Sequence, residues 1–421
     1  MVLTDTQANT DAFDRFRVSE PTTLFELNHI DNKRPRLVDE IVTGSGVSTH
    51  NMGSYCKMEV GSSGPGRVIR QTFEYIPYQP GKSRLMLFTG VLEAVAGGVA
   101  NVTSRVGSYD DGGNKTFVLG PGDGEYFELT NSGLYACERL TNSNTSVIQS
   151  SWNYDVFDGT ESTSNPSGFL VNDYSKAMIL AIDQEWLGIG PVRFGFFING
   201  SFRLGHTFNH SGIGTPTSTA ITYPYTKTGK LPIRYEIISS AAATAEMRMI
   251  CSTIISEGGY DPIGDPHSNV TVNATVPSSL LAYTPVMSLK LIESRNNIRH
   301  TLMVKNVSVL NKTGSGSSAS WRLFLLGDDS KLTGASFSNI HVDSSAQVDE
   351  SATFVDTDGA YQIASGFVET RSSQNLTFSS YISSPIVNAS IIGKSKILCL
   401  AATKTNGTPS IYGLMDWLEI H

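Results

Sequence analysis

Apolar and polar residues alternate with a period of two over short stretches rich in β-branched and aromatic side chains. Clusters of Gly, Pro, Asn and Asp interrupt these stretches roughly every 8 to 15 residues, the spacing of a chain that folds as short strands joined by turns. Strands are predicted at 67–75, 83–92, 126–129, 177–182, 192–198, 231–238 and 247–255. The segments between them, among them PYQPGK, DDGGNK, GPGDGE and EGGYDPIGDP, carry turn chemistry, in which Gly supplies positive φ and Pro fixes φ. Asn199-Gly200 sits between two alternating runs and predicts a tight hairpin. A second series follows residue 265: SLKLIES, RHTLMVKNVSVL, SWRLFLLG, FSNIHV, AYQIASGFV, NLTFSSYI, SKILCLAAT and YGLMDWLEI. The reading is all-β, with two β-sandwich domains of jelly-roll or lectin-like type, 41–265 and 266–421. The break between them is placed at the Pro- and Gly-rich DPIGDPHSN. The loop KTGSGSSAS is flexible by composition and expected at the surface. No convincing long repeat points to a solenoid or propeller.

Composition narrows the class. With 421 residues the chain can bury substantial cores without staples. Only 17% of residues are charged and 39 are Gly, which excludes a mainly helical protein. Lys and Arg number 31 against 39 Asp and Glu, a net charge of −8, so neither nucleic acid nor an anionic membrane is an expected partner. No apolar run approaches the ~20 residues of a membrane helix, and MVLTDTQANTDAF has neither the basic nor the apolar region of a signal peptide. The expectation is a soluble protein made in a cytosol. Cys56, Cys137, Cys251 and Cys399 are widely separated, mostly inside apolar runs such as MICSTII and ILCLAA, and read as buried free thiols.

Residues 1–40 stand apart. DAFDRFRVSEPTTLFELNHIDNKRPRLVDE is the most charge-dense part of the chain and carries Phe13, Phe16, Leu24 and Phe25. Two readings stay open: an arm lying on its own domain, or an arm docking on a neighbouring subunit, where Arg–carboxylate pairs set register. The second makes Phe13, Arg15, Phe16, Arg17, Leu24 and Phe25 candidate assembly-interface residues.

The same stretch carries a family resemblance. DAFDRFRVSEPTTLF, residues 11–25, resembles the opening D-A-F-x-R-x-R-V-S-x-P-x-T-L-F of virion structural proteins of tailed bacteriophages, many of them aquatic, with relatives in large DNA viruses. PYQPGKS at 77–83, QSSWN at 149–153, EWLGIG at 185–190, LPIRYE at 231–236 and CSTIISEGGY at 251–260 are similar to the same group. The likeness covers roughly residues 11–262 and extends more loosely to DWLE at 416–419; Asp14 departs from it, standing where Gly is expected. The resemblance implies a particle component located in the virion and made in the host cytoplasm. Tail, baseplate, fibre and head all remain open. Its expected partners are copies of itself, a homotrimer by analogy with phage fibres, and neighbouring virion proteins.

Candidate chemistry is sparse. Asp183 and Glu185 fall two apart on a predicted strand, about 6.6 Å apart along one face, close to the spacing of an inverting glycosidase pair. Many solvated strand faces carry acids at this spacing, and salt bridges or a polar sheet face are the reading preferred over catalysis. Trp152, Tyr154 and Trp186 are a candidate glycan platform if exposed, and core residues otherwise. His206 and His210 in HTFNH share a face, but no H-E-x-x-H motif accompanies them, so no metal is expected. Asp356-Thr-Asp-Gly359 lacks the remaining acids of a calcium loop and reads as a turn. Gly-Lys-Ser at 81–83 and 393–395 has Ile76 and Asn388 where a phosphate loop needs Gly. Gly188-x-Gly190 continues to Arg193 where a dinucleotide fingerprint needs Gly. The expectation is a non-enzymatic structural protein without cofactors. The alternatives are a glycan-binding receptor module of a tail fibre, with a host surface glycan as partner, or an outer capsid decoration protein. A glycan depolymerase using Asp183 and Glu185 is a third.

Overall fold

The structure is a computed structural model that describes residue 10 and residues 20–111, 122–211, 221–293, 299–314, 316–379 and 384–420. Two compact units divide the chain, Met1–Tyr260 and Asp261–His421. Both are built from antiparallel β-sheets, and among the described residues the named helices are single turns of 3₁₀ helix.

The first unit is built from β1 (Pro21–Asn28), β2 (Val38–Gly44), β3 (Val47–Asn51), β4 (Tyr55–Val60), β5 (Gly66–Thr72), β6 (Arg84–Val91), β7 (Val102–Tyr109) and β8 (Gly122–Thr130). It continues with β9 (Gly133–Thr141), β10 (Ser143–Ile148), β11 (Met178–Gln184), β12 (Val192–Ile198), β13 (Ser201–Phe208), β14 (Ile233–Ser239) and β15 (Ala245–Glu257). One sheet runs β13-β12-β11-β6-β15-β4-β3, with β1 also on β15; the other runs β10-β9-β8-β7-β14-β5-β2. Alternating side chains from both sheets meet in one core: Met58, Met86, Phe88, Ile182 and Phe194 from the first, Val68, Val106, Phe127, Ile233 and Tyr235 from the second. Phe127 lies 5.1 Å from Phe194 and 5.9 Å from Phe196, ring centre to ring centre. Asn199 (φ 52°) and Gly200 (φ 76°) form the predicted hairpin turn between β12 and β13, both in the left-handed region that such a turn demands.

Of the two readings of residues 1–40, the described part, 20–40, fits the one in which the stretch lies on its own unit: β1 pairs with β15 from Pro21↔Glu257 to Asn28↔Cys251, and β2 begins at Val38. Leu24 and Phe25, interface candidates by sequence, are buried in the core of their own unit together with Leu27, so the apolar stripe of this stretch is spent intramolecularly. Cys251 is exposed, whereas Cys56, Cys137 and Cys399 are buried; all four are free. The cause is a bulge at Ile250. Met247 and Met249 face inward before it, Ser252 and Ile254 after it, and Cys251 is turned to solvent.

The second unit contains β16 (Asp265–Val270), β17 (Thr284–Leu291), β18 (Thr301–Asn311), β19 (Ser318–Leu326), β20 (Leu332–Thr333), β21 (Ser338–Asn339) and β22 (Ala346–Asp349). To these it adds β23 (Phe354–Val355), β24 (Tyr361–Val368), β25 (Ser372–Thr377), β26 (Ile386–Val387), β27 (Ile397–Asn406) and β28 (Ile411–Ile420). Its sheets run β16-β28-β18-β25, with β26 on β18, and β21-β22-β17-β27-β19-β24. Residues 261–265 thus belong with the second unit, a few positions before the expected break. Central β27 is apolar on both faces through Ala402, because Ile397, Cys399 and Ala401 meet a satellite cluster with Phe324, Leu332 and Val355. FSNIHV yields only the short β21, and Val342 beyond it is 86% exposed.

Candidate functional site

Asp183 ends up beside Arg193 because β11 and β12 put the two directly opposite each other. Nε of Arg193 donates to Asp183 Oδ2 over 2.9 Å, and its Nη2 donates to the carbonyl of Thr10 over 2.6 Å. Both side chains are buried. Glu185 lies past the end of β11, where the chain turns back through a Gly190 N–H to Trp186 carbonyl bond of 2.9 Å. Its Oε1 accepts from the Tyr78 hydroxyl over 3.2 Å. The strand stops between the two acids, and each is bound by a partner of its own, Asp183 by Arg193 and Glu185 by Tyr78.

The three aromatic candidates part company. Trp152 is 4% exposed, donates its indole N–H to the Val147 carbonyl (3.0 Å) and packs against Phe157 and Phe196. A Cβ on Gly205 would stand 2.4 Å from its ring, so a residue without a side chain is needed there. Trp152 is a core residue and not a platform. Trp186 is half-buried, with its N–H on Thr226 Oγ1 (2.8 Å) and Tyr78 edge-on at 5.8 Å. Tyr154 alone of the three is exposed, at 39%. Of the interface candidates, Phe13, Arg15, Phe16 and Arg17 lie outside the described residues.

His206 and His210 have different surroundings. His206 is buried beside Phe208 and accepts the Asn153 N–H at Nδ1; burial lowers it to about 4, so it is neutral. His210 follows β13 and stacks on Tyr225, ring centres 4.0 Å apart. Its Nδ1 is 2.7 Å from the Gly190 carbonyl and its Nε2 is 2.8 Å from Glu138 Oε2. Register places Glu138 directly opposite Glu125. Gln184 links Glu125 Oε1 (2.7 Å) to the Tyr225 hydroxyl (3.2 Å), and Arg84 donates to Gln184. Burial raises Glu125 well above the usual carboxylate range despite Arg84 nearby. Among the described residues no group of three His, Cys, Asp or Glu side chains is arranged to hold a metal ion. Asp356 to Gly359 forms a tight turn, in which Asp356 accepts the Asp358 N–H and pairs with Lys331.

The most extensive ionic constellation among the described residues is not visible in the sequence. β14 sends Ile233, Tyr235 and Ile237 to the core and Arg234 and Glu236 to the opposite face, where all are also buried. There Arg234 meets Asp111 (2.7 Å) and Glu236 (3.1 Å), Arg67 meets Asp111 (2.6 Å) and Glu236 (2.8 Å), and Arg105 meets Glu128 (2.6 Å). Burial would raise Glu236, but the guanidiniums of Arg234, Arg67 and Arg105 outweigh it and hold it at about 2. Arg234, Arg67 and Arg105 thus share the carboxylates of Asp111, Glu236 and Glu128. The signal is charge alternating with large apolar residues, as in LPIRYEII, but pairing the charges requires the strand register.

This chemistry is inward. The acids, guanidiniums and imidazoles described above bind one another, and their geometry fixes strands and loops.

No family model and no curated protein matches the chain. Similar solved structures include the β-glucanase of Bacillus licheniformis, at 10% identity and a TM-score of 0.32, covering 55% of this chain and 98% of that one. Peanut lectin is similar at 11% identity and a TM-score of 0.31, covering 56% and 98%. A structure of botulinum neurotoxin type C, whose cell entry depends on two ganglioside molecules, covers 91% of this chain and 93% of its own at 11% identity and a TM-score of 0.31.

Proposed function

We propose that the protein is a structural component of a tailed-phage virion, acting through oligomeric assembly and surface contact at the tail, baseplate or fibre. The observation that carries this reading is the inward closure of the reactive side chains. Asp183, Glu185, Glu236 and Asp111 each accept a bond from a neighbour inside the first unit, and Trp152 is in its core. Such a molecule offers rigid strands and loops to its surroundings. The N-terminal motif at residues 11–25 supports the particle assignment. Removing residues 1–19 spares β1 and takes away only the Thr10 carbonyl among the described contacts of Arg193, which keeps Asp183; the truncated protein is expected to stay folded but to be missing from purified particles by mass spectrometry. Normal incorporation of that truncation removes the assembly role of the N-terminus, and absence of the full-length protein from infectious particles removes the reading itself.

A glycan-binding role is the second reading, and exposed Tyr154 is the aromatic that favours it. A glycan array with the purified protein separates the two: saccharide binding lost in Tyr154→Ala supports the receptor module.

A further inference from the structure

We propose that Glu138 and His210 form a one-proton clamp, which ties down the loop at residues 185–190 while the shared proton is present and frees Gly190 when it is lost.

Donors and acceptors fix the proton count. The Gly190 carbonyl can only accept, so the 2.7 Å contact requires a proton on Nδ1 of His210. The 2.8 Å contact between Nε2 and Glu138 Oε2 requires a second proton between those atoms. Both contacts exist together only when the pair holds one proton more than a neutral imidazole and a carboxylate. With that proton gone, the imidazole has a single N–H. The bond to a buried carboxylate is the stronger of the two, so the remaining proton stays on Nε2. Nδ1 then turns a lone pair on the Gly190 oxygen, and that contact becomes repulsive.

What Gly190 holds is specific. Its N–H closes the turn onto Trp186, and the Tyr225 N–H donates to the Gly188 carbonyl over 3.0 Å. The loop presents Leu187 (49% exposed) and Ile189 (44%), and Tyr223 (59%) lies two residues from the Tyr225 that bonds Gly188. Leu187 is held at φ 32°, a left-handed conformation that a leucine adopts only when its surroundings impose it. The clamp therefore governs the order of an exposed apolar loop.

The groups facing the pair leave this proton as the variable one. Glu125, opposite on β8, is raised well above the usual carboxylate range by burial, and Tyr225, stacked on the ring, is raised well above the ordinary phenol value. Asp123 on β8 accepts the Thr141 and Lys227 N–H groups, Glu185 takes the Tyr78 hydroxyl, and Arg84 on β6 is bound to Gln184. His210 itself is lowered by burial, yet its bond to and attraction by Glu138, with the Gly190 carbonyl, leave it above its ordinary value. Lys230, brought down to about 7 by burial, titrates in the same range, and the test must separate it.

The test is hydrogen–deuterium exchange of the full-length chain from about pH 6 to about 9, reading the histidine C2 hydrogens and the backbone peptide at 185–191. His210 is expected to titrate above 6.5. Protection of the peptide, corrected for intrinsic exchange, is expected to fall about tenfold across that titration. In Glu138→Gln the amide donates to Nε2 without an extra proton, Nδ1–H stays on Gly190, and protection should be high and independent of pH, with Lys230 unaltered. Glu138→Ala, which leaves no carboxylate to draw the proton to Nε2, should likewise keep Nδ1–H on Gly190 and lose the fall in protection. Wild-type protection that is flat with pH, or a Glu138→Gln variant that loses protection as the wild type does, overturns the clamp.

Discussion

Phe127 and Trp152 illustrate what single side chains do in the first unit. Their rings meet those of Phe157, Phe194 and Phe196 between the two sheets. Trp152→Ala is expected to cost roughly 3–5 kcal/mol, the usual cost of emptying an aromatic site in a packed core, measured as a lower denaturant midpoint. Glu236 acts differently. Glu236 is the buried acceptor shared by Arg67 and Arg234, so Glu236→Gln removes the negative charge that faces both guanidiniums, and a loss of roughly 3–5 kcal/mol is expected. His29 sets an acid limit. Burial chiefly, with Arg70 nearby, lowers it to about 4, although its bond to the Ile250 carbonyl opposes the shift. The unfolded chain then binds a proton from 6.5 downward while the folded chain does not. Stability is complete above about 6.5 and falls toward pH 4 by up to ~3 kcal/mol from this group. Urea unfolding at several pH values checks this, and His29→Gln should flatten the profile. None of these roles can be read from residue type. Trp152 is equally suited to a surface platform, and nothing in the sequence marks His29, because burial depends on which strands become neighbours.

At the scale of elements the sequence is far more informative. The seven strands predicted in the first unit correspond to β5, β6, β8, β11, β12, β14 and β15; of the runs chosen after residue 265, FSNIHV gives only the two-residue β21, NLTFSSYI enters β25 with Asn375–Thr377 while 380–382 lie outside the described residues, and each of the others coincides with a strand over four or more residues. A period of two survives in a sequence because it follows from backbone geometry alone. What it misses is where that period is broken. The bulge at Ile250 reverses the faces of β15 and exposes Cys251, and the end of β11 at Gln184 separates Asp183 from Glu185. β1 is hidden for another reason. The charge density around it suggests an arm, while its apolar Leu24, Phe25 and Leu27, set among polar residues, turn inward as the strand lies on β15. Deleting residues 1–40 is therefore expected to remove a strand of the core and part of β2 and to destabilise the first unit. Thermal unfolding should show a lower midpoint for that deletion, whereas deletion of residues 1–19 leaves β1 in place.

At the scale of the molecule, the proposed virion role and the buried ionic pairs make a joint demand on salt. Exposed charge pairs are screened within about 10 Å at 0.1 M salt, but the pairs of Arg67, Arg234, Asp111 and Glu236 are closed off from solvent and are screened far less. A particle component built this way should keep its own fold at ionic strengths that loosen contacts between copies. Two measurements on the same sample decide it. Sedimentation of the purified protein across a salt series reads the oligomer, expected to be a trimer, and its denaturant midpoint reads the fold. The oligomer should weaken with salt if charged residues set the register between copies, while the midpoint moves little. A midpoint that drops steeply over the same range would show that the ionic network is open to solvent, and a chain that stays monomeric at every salt concentration would remove self-association from the proposed function.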